Sequence, residues 1–501
     1  MRSFCVSLAA ICALVISAQV CAASDNAIAA YKMADYERAI PLLQADIAGN
    51  PNDARAQAAL LSALVYQGRA DEASQAAQAD AIAFPDSPDV IAARGDFAFY
   101  MGDMQQAETL YRSALKLNQE TARAYYGLSR VFHAASYYRA ARLTCLKAQS
   151  VDPDDALITH LWLRYLPAER RDQLLPAFAA AHPWLYPHYQ QYLKSAAAIS
   201  GQLAKQTEFE LEGGPREVTL HLITLRSAPG RPYGVGLPLR IENARPLMLL
   251  LDTGASGIFV SQKAIDKAGL EHLGSGEAAG IGDKGKRTTF GAVAGTCAIA
   301  SLKFKNCVIE ASEGKHNVMG DVDGLLGADV FSDYLITIDF QKLLLHLKPL
   351  PPRPPNAQGY DRVISQEEAN FTPVFRFGHE LLVSTTLNRK STGLFLLDTG
   401  ASISNVDSTF ARYSTKVRGD YYTRVSGISG NVRDVFEADK AELAFSHFRQ
   451  RNLGLTAFNL NNHPEHQEVR LAGTLGMPVL VMFRLTIDYR NGLVDFDYAS
   501  K

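Results

Sequence analysis

The stretch Leu249-Leu250-Leu251-Asp252-Thr253-Gly254-Ala255-Ser256 returns later in the same chain as Phe395-Leu396-Leu397-Asp398-Thr399-Gly400-Ala401-Ser402. In both copies an apolar run leads into Asp-Thr-Gly, which reads as a buried β-strand ending in a tight loop. One Asp-Thr-Gly is a common tripeptide. Two copies, each entered from an apolar strand and followed by Ala-Ser, mark an internal duplication. Each copy also has its own second element. Gly324-Leu325-Leu326-Gly327-Ala328 precedes Tyr334-Leu335-Ile336-Thr337-Ile338-Asp339-Phe340, and Gly473-Thr474-Leu475-Gly476-Met477 precedes Phe483-Arg484-Leu485-Thr486-Ile487-Asp488-Tyr489. Gly324 follows Asp252 by 72 residues and Gly473 follows Asp398 by 75, so order and spacing are duplicated with the motif.

This constellation resembles the retropepsin-like aspartic peptidases over roughly residues 215 to 349 and 360 to 501. The resemblance implies two all-β lobes arranged as a pseudo-two-fold pair of acid-protease barrels, with Asp252 and Asp398 as the catalytic residues. It also gives supporting roles to the loop residues Thr253, Gly254, Ser256, Thr399, Gly400 and Ser402. Thr253 and Thr399 would lock the loops across the axis. Ser256 and Ser402 would hydrogen-bond the outer oxygen of each Asp. The glycines are intelligible on steric grounds, because loops meeting around a two-fold axis need close backbone approach.

The chemistry explains why duplication matters. Two carboxyl groups within hydrogen-bonding distance cannot both ionise cheaply, so they share a proton and titrate as a coupled pair. The ionised member takes a proton from a water held between them, and the protonated member stabilises the oxyanion that forms when that water attacks a carbonyl. Such a dyad requires no cofactor, no metal and no covalent intermediate. Its partner would be a polypeptide in extended conformation.

Between each Asp and its later glycine element lies a glycine-bearing hairpin. Gly280-Ile281-Gly282 in the first lobe and Gly427-Ile428-Ser429-Gly430 in the other lobe resemble a pair of retropepsin flap tips that would contact substrate. Residues 280–285 also spell G-x-G-x-x-G, but no parallel strand leads in and no long helix follows, so a dinucleotide site is set aside. No H-E-x-x-H spacing occurs, and His463 and His466 read as solvated residues of a polar loop. Asp339 and Asp488 repeat as well; at strand ends before an aromatic residue they read as turn-closing or solvent-facing rather than catalytic.

Residues 25 to 155 carry a different repeat, 34 residues long. Ala34, Gly68, Gly102 and Ser136 fall in register, as do Ala39, Ala73, Ala107 and Ala141, and Pro51, Pro85 and Pro153 share a column whose fourth member is Gln119. The period resembles the tetratricopeptide repeat, a two-helix unit in which small side chains let helices approach closely. It implies an α-solenoid of about four repeats. Two roles remain open for it: a surface for substrate or a partner protein, or a spacer that caps the β lobes.

The remaining features bound the setting. The chain has 501 residues, 47% hydrophobic and 20% charged, with a formal charge of −2. That balance lacks the electrostatic footprint of a nucleic-acid binder. Residues 1–23 have a basic start, an apolar run and a small-residue end, the pattern of a signal peptide. The expected setting is periplasmic or secreted, with no membrane span after cleavage, or a membrane-anchored form if the segment stays uncleaved. Beyond it, residues 24–204 form the helical region, 205–349 the first lobe, 350–359 a proline-rich linker and 360–501 the second lobe. Three cysteines remain: Cys145 reads as a small core residue, while Cys297 and Cys307 either pair or stay free. An aspartic endopeptidase is the reading that uses both motifs. Its rivals are a peptide-gripping adaptor that does not cut, and an obligate homodimer in which each lobe pairs with its own kind.

Overall fold

The computed structural model describes residues 26–498, apart from 187–188, 205, 228–229, 315–321, 352–360 and 462–467. The signal segment, most of the proline-rich linker, and His463 with His466 lie outside the described residues.

The 34-residue period is built from helical hairpins. Helix α1 occupies 26–32, followed by α2 (Tyr36–Gly49), α3 (Ala54–Tyr66), α4 (Ala70–Ala83), α5 (Pro88–Tyr100), α6 (Met104–Leu117), α7 (Ala122–Ala134) and α8 (Tyr138–Val151). Many of these helices begin with a side-chain cap: Asp35, Asp53, Ser87 and Asp103 each accept a hydrogen bond from a first-turn amide. The alanine column, Ala39, Ala73, Ala107 and Ala141, is fully buried, as expected where helices cross. The other small column has a different cause. Ala34, Gly68, Gly102 and Ser136 all have positive φ, between 59° and 82°, so they form the left-handed turn inside each hairpin rather than a helix crossing. Three further helices, α9 (Ala156–Arg164), α10 (Ala168–Ala181) and α11 (Tyr189–Leu203), complete the helical region.

The first strand begins at Glu210, and from there the chain forms two lobes of similar topology. In the first, strand Leu247–Asp252 runs parallel to Gly324–Gly327, which is also antiparallel to Ile258–Ser261. In the second, Ser391–Leu397 runs parallel to Gly473–Leu475, which is antiparallel to Asn405–Asp407. A six-stranded sheet joins the lobes. At its centre Tyr334–Asp339 pairs antiparallel with Phe483–Asp488, Ile336 opposite Ile487, and the hydroxyls of Thr337 and Thr486 meet at 3.1 Å. A continuous apolar core runs through both lobes and includes Leu251, Ile336, Leu397 and Ile487. Asp339 and Asp488 close turns, accepting from the amides of Lys342 (2.8 Å) and Asn491 (3.0 Å). Both are buried, so their solvent-facing alternative is excluded.

Alternation along Ser391–Leu397 explains how the helices attach. Phe395 and Leu397 enter the lobe core, while Leu394 and Leu396 point the opposite way and pack with Phe99, Met104, Leu128 and Val131 of the repeats. At the other end of the region, α11 lies along strand Leu273–Ala278. There the Ser195 hydroxyl donates to the Ser275 carbonyl and accepts from its amide, both at 2.8 Å. Cys297 and Cys307 form a disulfide across the hairpin of Arg287–Ile299 and Leu302–Ser312. Cys145 is a free, buried residue of α8 whose thiol is pushed up to about 12 by burial. Among the described residues no helix is long and apolar enough to cross a membrane.

Candidate functional site

Each Asp-Thr-Gly loop sits at the end of a strand held on both edges. Leu247–Asp252 is flanked by Gly324–Gly327 and by Arg231–Ile241, so Leu249 and Leu251 are wholly buried and the strand delivers Asp252 to the lobe boundary. Ser391–Leu397 delivers Asp398 in the same way between Gly473–Leu475 and Glu380–Leu387.

The two loops are tied together by a reciprocal lattice. The Thr253 amide donates to Thr399 Oγ1 and the Thr399 amide to Thr253 Oγ1, both at 3.0 Å. Each hydroxyl then donates to the carbonyl before the opposite Asp: Thr253 to Leu397 and Thr399 to Leu251, both at 2.7 Å. Both threonines are fully buried. The glycines permit this approach. A Cβ on Gly400 would stand 2.4 Å from the Asp252 carboxyl carbon, and one on Gly254 would stand 3.0 Å from that of Asp398.

Asp252 and Asp398 are thereby brought side by side, linked by a hydrogen bond between their carboxyl groups. The Gly254 amide donates to Asp252 Oδ1 at 2.8 Å. Asp398 Oδ1 accepts from the amides of Gly400 (2.8 Å) and Ala401 (2.9 Å). Burial and the Asp398 charge push Asp252 well above the ordinary carboxylate range. Burial raises Asp398 as well, but the hydrogen bonds from Asp252, Gly400 and Ala401 oppose that rise. The pair therefore holds one proton in common over an extended pH range.

The two serines depart from expectation. Ser256 Oγ donates to Asp329 Oδ2 (2.8 Å) rather than to Asp252, and Asp329 also accepts from the Gly257 amide at 2.9 Å. Ser402 is exposed, and the groups that hold Asp398 are backbone amides. In the second lobe it is Ser404 that braces the loop, accepting from the Gly476 amide at 3.0 Å.

The hairpin tips of the two lobes interlock with each other. The Gly280 amide donates to Ser429 Oγ, the Ser429 amide to the Ile281 carbonyl, both at 3.1 Å, and the Lys284 amide to the Ser429 carbonyl at 2.9 Å. Gly427 and Gly430 form a hairpin pair around Ile428-Ser429. Gly282 has φ +131°, and a Cβ there would lie 2.4 Å from the Ser429 carbonyl group, so only glycine fits. Ile428 packs with Tyr233, Leu250 and Phe259 of the first lobe, and Ile281 with Val425, Val435 and Phe458 of the second.

Three residues that the motif reading did not identify also bear on the site. Asp329 clamps the Ser256 loop. His379 Nε2 donates to the Gly254 carbonyl at 3.2 Å, reaching from one lobe to the Asp-Thr-Gly loop of the other. Glu380 is raised by burial, with His379 opposing the rise and Asp398 adding to it. A positional signal for the last two existed: His379 precedes Asp398 by 19 residues, as Tyr233 precedes Asp252. Among the described residues no cluster of His, Cys, Asp and Glu is arranged to hold a metal ion.

Comparison with known proteins bears on the two halves separately. No curated protein matches the chain. Among solved structures, the human IFIT1 dimer with m7Gppp-AAAA is similar at 14% identity over 36% of this chain, with a TM-score of 0.29. A crystal structure of MamA is similar at 21% identity over 29% of this chain and 86% of its own, with a TM-score of 0.20. The chain spans 46% of the IFIT1 chain's length. Residues 237–330, which hold Asp252, its loop and the Gly324–Gly327 strand, match the aspartyl protease family.

Proposed function

We propose that this chain is an aspartic endopeptidase of the retropepsin-like kind, with both halves of its active site in one molecule. The observation that carries the reading is the mutual lock of Thr253 and Thr399, which holds the loops of Asp252 and Asp398 together. Asp398, held by two amides, is suited to be the ionised member that takes a proton from a water between the carboxyls. That water attacks the scissile carbonyl, and Asp252 gives its proton to the oxygen that becomes negative. Asp398 then gives the proton it took from the water to the leaving nitrogen as the C–N bond breaks, and Asp252 takes back a proton from a hydroxyl of the tetrahedral intermediate as the new carboxyl group forms, so the pair is again singly protonated. The hairpin tips would lie over an extended backbone and exclude bulk water during the attack.

A polypeptide substrate follows from this chemistry. The repeats, fixed to the second lobe through Leu394 and Leu396, would bind part of that polypeptide or a partner protein. The mature chain would work in the periplasm or outside the cell, where the Cys297–Cys307 disulfide is stable.

The test is hydrolysis of an unstructured protein from pH 3 to 7. The wild type should cleave it, and Asp252→Asn should lose at least about 10³-fold in rate. Binding of the protein without cleavage under every condition would replace this reading with that of an adaptor.

A further inference from the structure

Helix α11 carries Gln191, Ser195, Ile199 and Gln202 at intervals of four, four and three residues, so all four lie on one face. That face rests on Leu273–Ala278 and Arg287–Ile299, the two arms of the first lobe's hairpin. Gln191 donates to the Ser275 hydroxyl at 2.9 Å, and Gln202 to Glu271 Oε2 at 2.8 Å. The fit is close. A Cβ on Gly274 would stand 2.4 Å from Ser195 Cα, and one on Gly291 would stand 2.9 Å from Ile199 Cδ1.

The hairpin is irregular at the place where the helix touches it. Leu273 pairs with Gly291 and Gly276 with Thr289, so three steps along one arm match two along the other. This is a β-bulge at Gly274-Ser275, with Gly274 at φ +62°. A bulge leaves backbone groups outside the ladder that need other partners. Ser195 Oγ supplies both, accepting from the Ser275 amide and donating to its carbonyl at 2.8 Å each. Ser275 precedes Gly280 of the hairpin tip by five residues.

The second lobe differs at the corresponding place. Gly274 and Ser275 stand 22 and 23 residues after Asp252, as Asp420 and Tyr421 stand 22 and 23 after Asp398. Asp420 closes its own turn, accepting from the amides of Tyr422 and Thr423. Tyr421 and Tyr422 are 85% and 92% exposed, so solvent meets the root of this hairpin where a helix covers the other. The helical region also packs on the second lobe through Leu394 and Leu396. It thus links that lobe to the root of the first hairpin by a path separate from the Asp-Thr-Gly loops.

We propose that Ser195 is a positioning residue for the first hairpin tip: by holding the bulge at Gly274-Ser275, α11 sets how readily that tip parts from the second and so how wide a polypeptide is admitted. This rests on the proteolytic reading above. The tips are bonded to each other through Gly280, Ile281, Lys284 and Ser429, and a substrate passing between them must separate these groups.

The test follows amide hydrogen exchange in the full mature chain, comparing Gly280, Lys284 and Ser429 at the tips with Thr253 and Thr399 in the same sample. Ser195→Ala should speed exchange at the tips by roughly 5- to 30-fold and leave both threonines unchanged. Gly274→Ala, whose methyl group would displace α11, should do the same. Should Ser195→Ala fail to fold, Gln191→Ala, which removes only the bond to the Ser275 hydroxyl, should give a smaller rise at the same amides. Exchange that rises equally at tips and threonines, or only at the bulge, or nowhere, overturns the inference. Activity provides a second readout, with a linear peptide and its cyclised form as substrates. The wider cycle needs the greater opening, so Ser195→Ala should raise the cyclic-to-linear ratio of kcat/KM, a ratio that a mere loss of folded enzyme would not move. An unchanged ratio overturns the control of admission while leaving proteolysis intact. If the wild type cuts neither peptide, the proteolytic reading fails, and exchange alone decides whether Ser195 sets the tip.

Discussion

Thr253 and Thr399 are joined by two hydrogen bonds of 3.0 Å, each from the amide of one to the hydroxyl of the other, and each hydroxyl also donates to the opposite strand. This single relationship ties the two lobes to each other, because the backbone that carries each aspartate is bonded to its counterpart. Thr253→Val keeps the shape and removes the hydroxyl, leaving the Thr399 amide and the Leu397 carbonyl buried without those partners. The loss should be about 2 to 5 kcal/mol in denaturant unfolding. Thr253→Ser, which retains the hydroxyl, should lose no more than about 1 kcal/mol by the same reasoning.

The proton held by the dyad makes stability depend on pH in a definite direction. Folding raises the affinity of both Asp252 and Asp398 for protons. Their contribution is fully present below the ordinary carboxylate range and is lost as pH rises through the folded-state values. Asp252→Asn should therefore unfold at nearly the same temperature as the wild type near pH 3 and at a higher temperature at pH 7. A wild type that gains stability relative to the variant on going to pH 7 would contradict the shared proton.

Closure of the hairpin tips depends on Gly282. Gly282→Ala places a methyl group against the Ser429 backbone at a φ that side chains rarely adopt, a strain of about 1 to 3 kcal/mol. The tips should part while the dyad stays in place. We expect kcat/KM to fall by roughly 100-fold, because misplacement of about 1 Å is enough for a loss of that size. The hydrogen bond from the Gly280 amide to Ser429 predicts a milder defect of the same kind for Ser429→Ala.

The Cys297–Cys307 bridge lies in the strands behind the first hairpin tip and closes a separation of ten residues. A loop of that size stabilises by about 2 to 3 kcal/mol through restriction of the unfolded chain. Replacing both cysteines by serine should lower unfolding stability by that amount, with dyad chemistry retained.

Much of this was legible in the sequence because it depends on local pattern. Apolar runs ending in Asp-Thr-Gly announced buried strands, and their duplication announced the pairing of Asp252 with Asp398. The 34-residue columns announced the helical hairpins, although the column of Ala34 and Gly68 proved to mark left-handed turns. What escaped were contacts that depend on how distant segments fold together. Ser256 follows its motif closely, yet its hydroxyl is taken by Asp329, 73 residues away. The second copy has Pro478 where Asp329 would fall, so comparing the two motifs gave no hint of that clamp. His379 belongs to no motif, and only its distance from Asp398, matched against Tyr233 and Asp252, pointed to the cleft. The outward leucines of Ser391–Leu397 read as part of a fully buried strand, and only the packing of the repeats shows what buries them.

The central claim is that Asp252 and Asp398 form one dyad within one chain, and residual activity in the single variants tests it most directly. Asp252→Asn and Asp398→Asn should each fall to less than about one thousandth of the wild-type rate, and mixing the two should restore nothing. If either variant alone kept about half of the wild-type activity, each lobe would be working with its own copy in another molecule, and a dyad shared within one chain would be excluded.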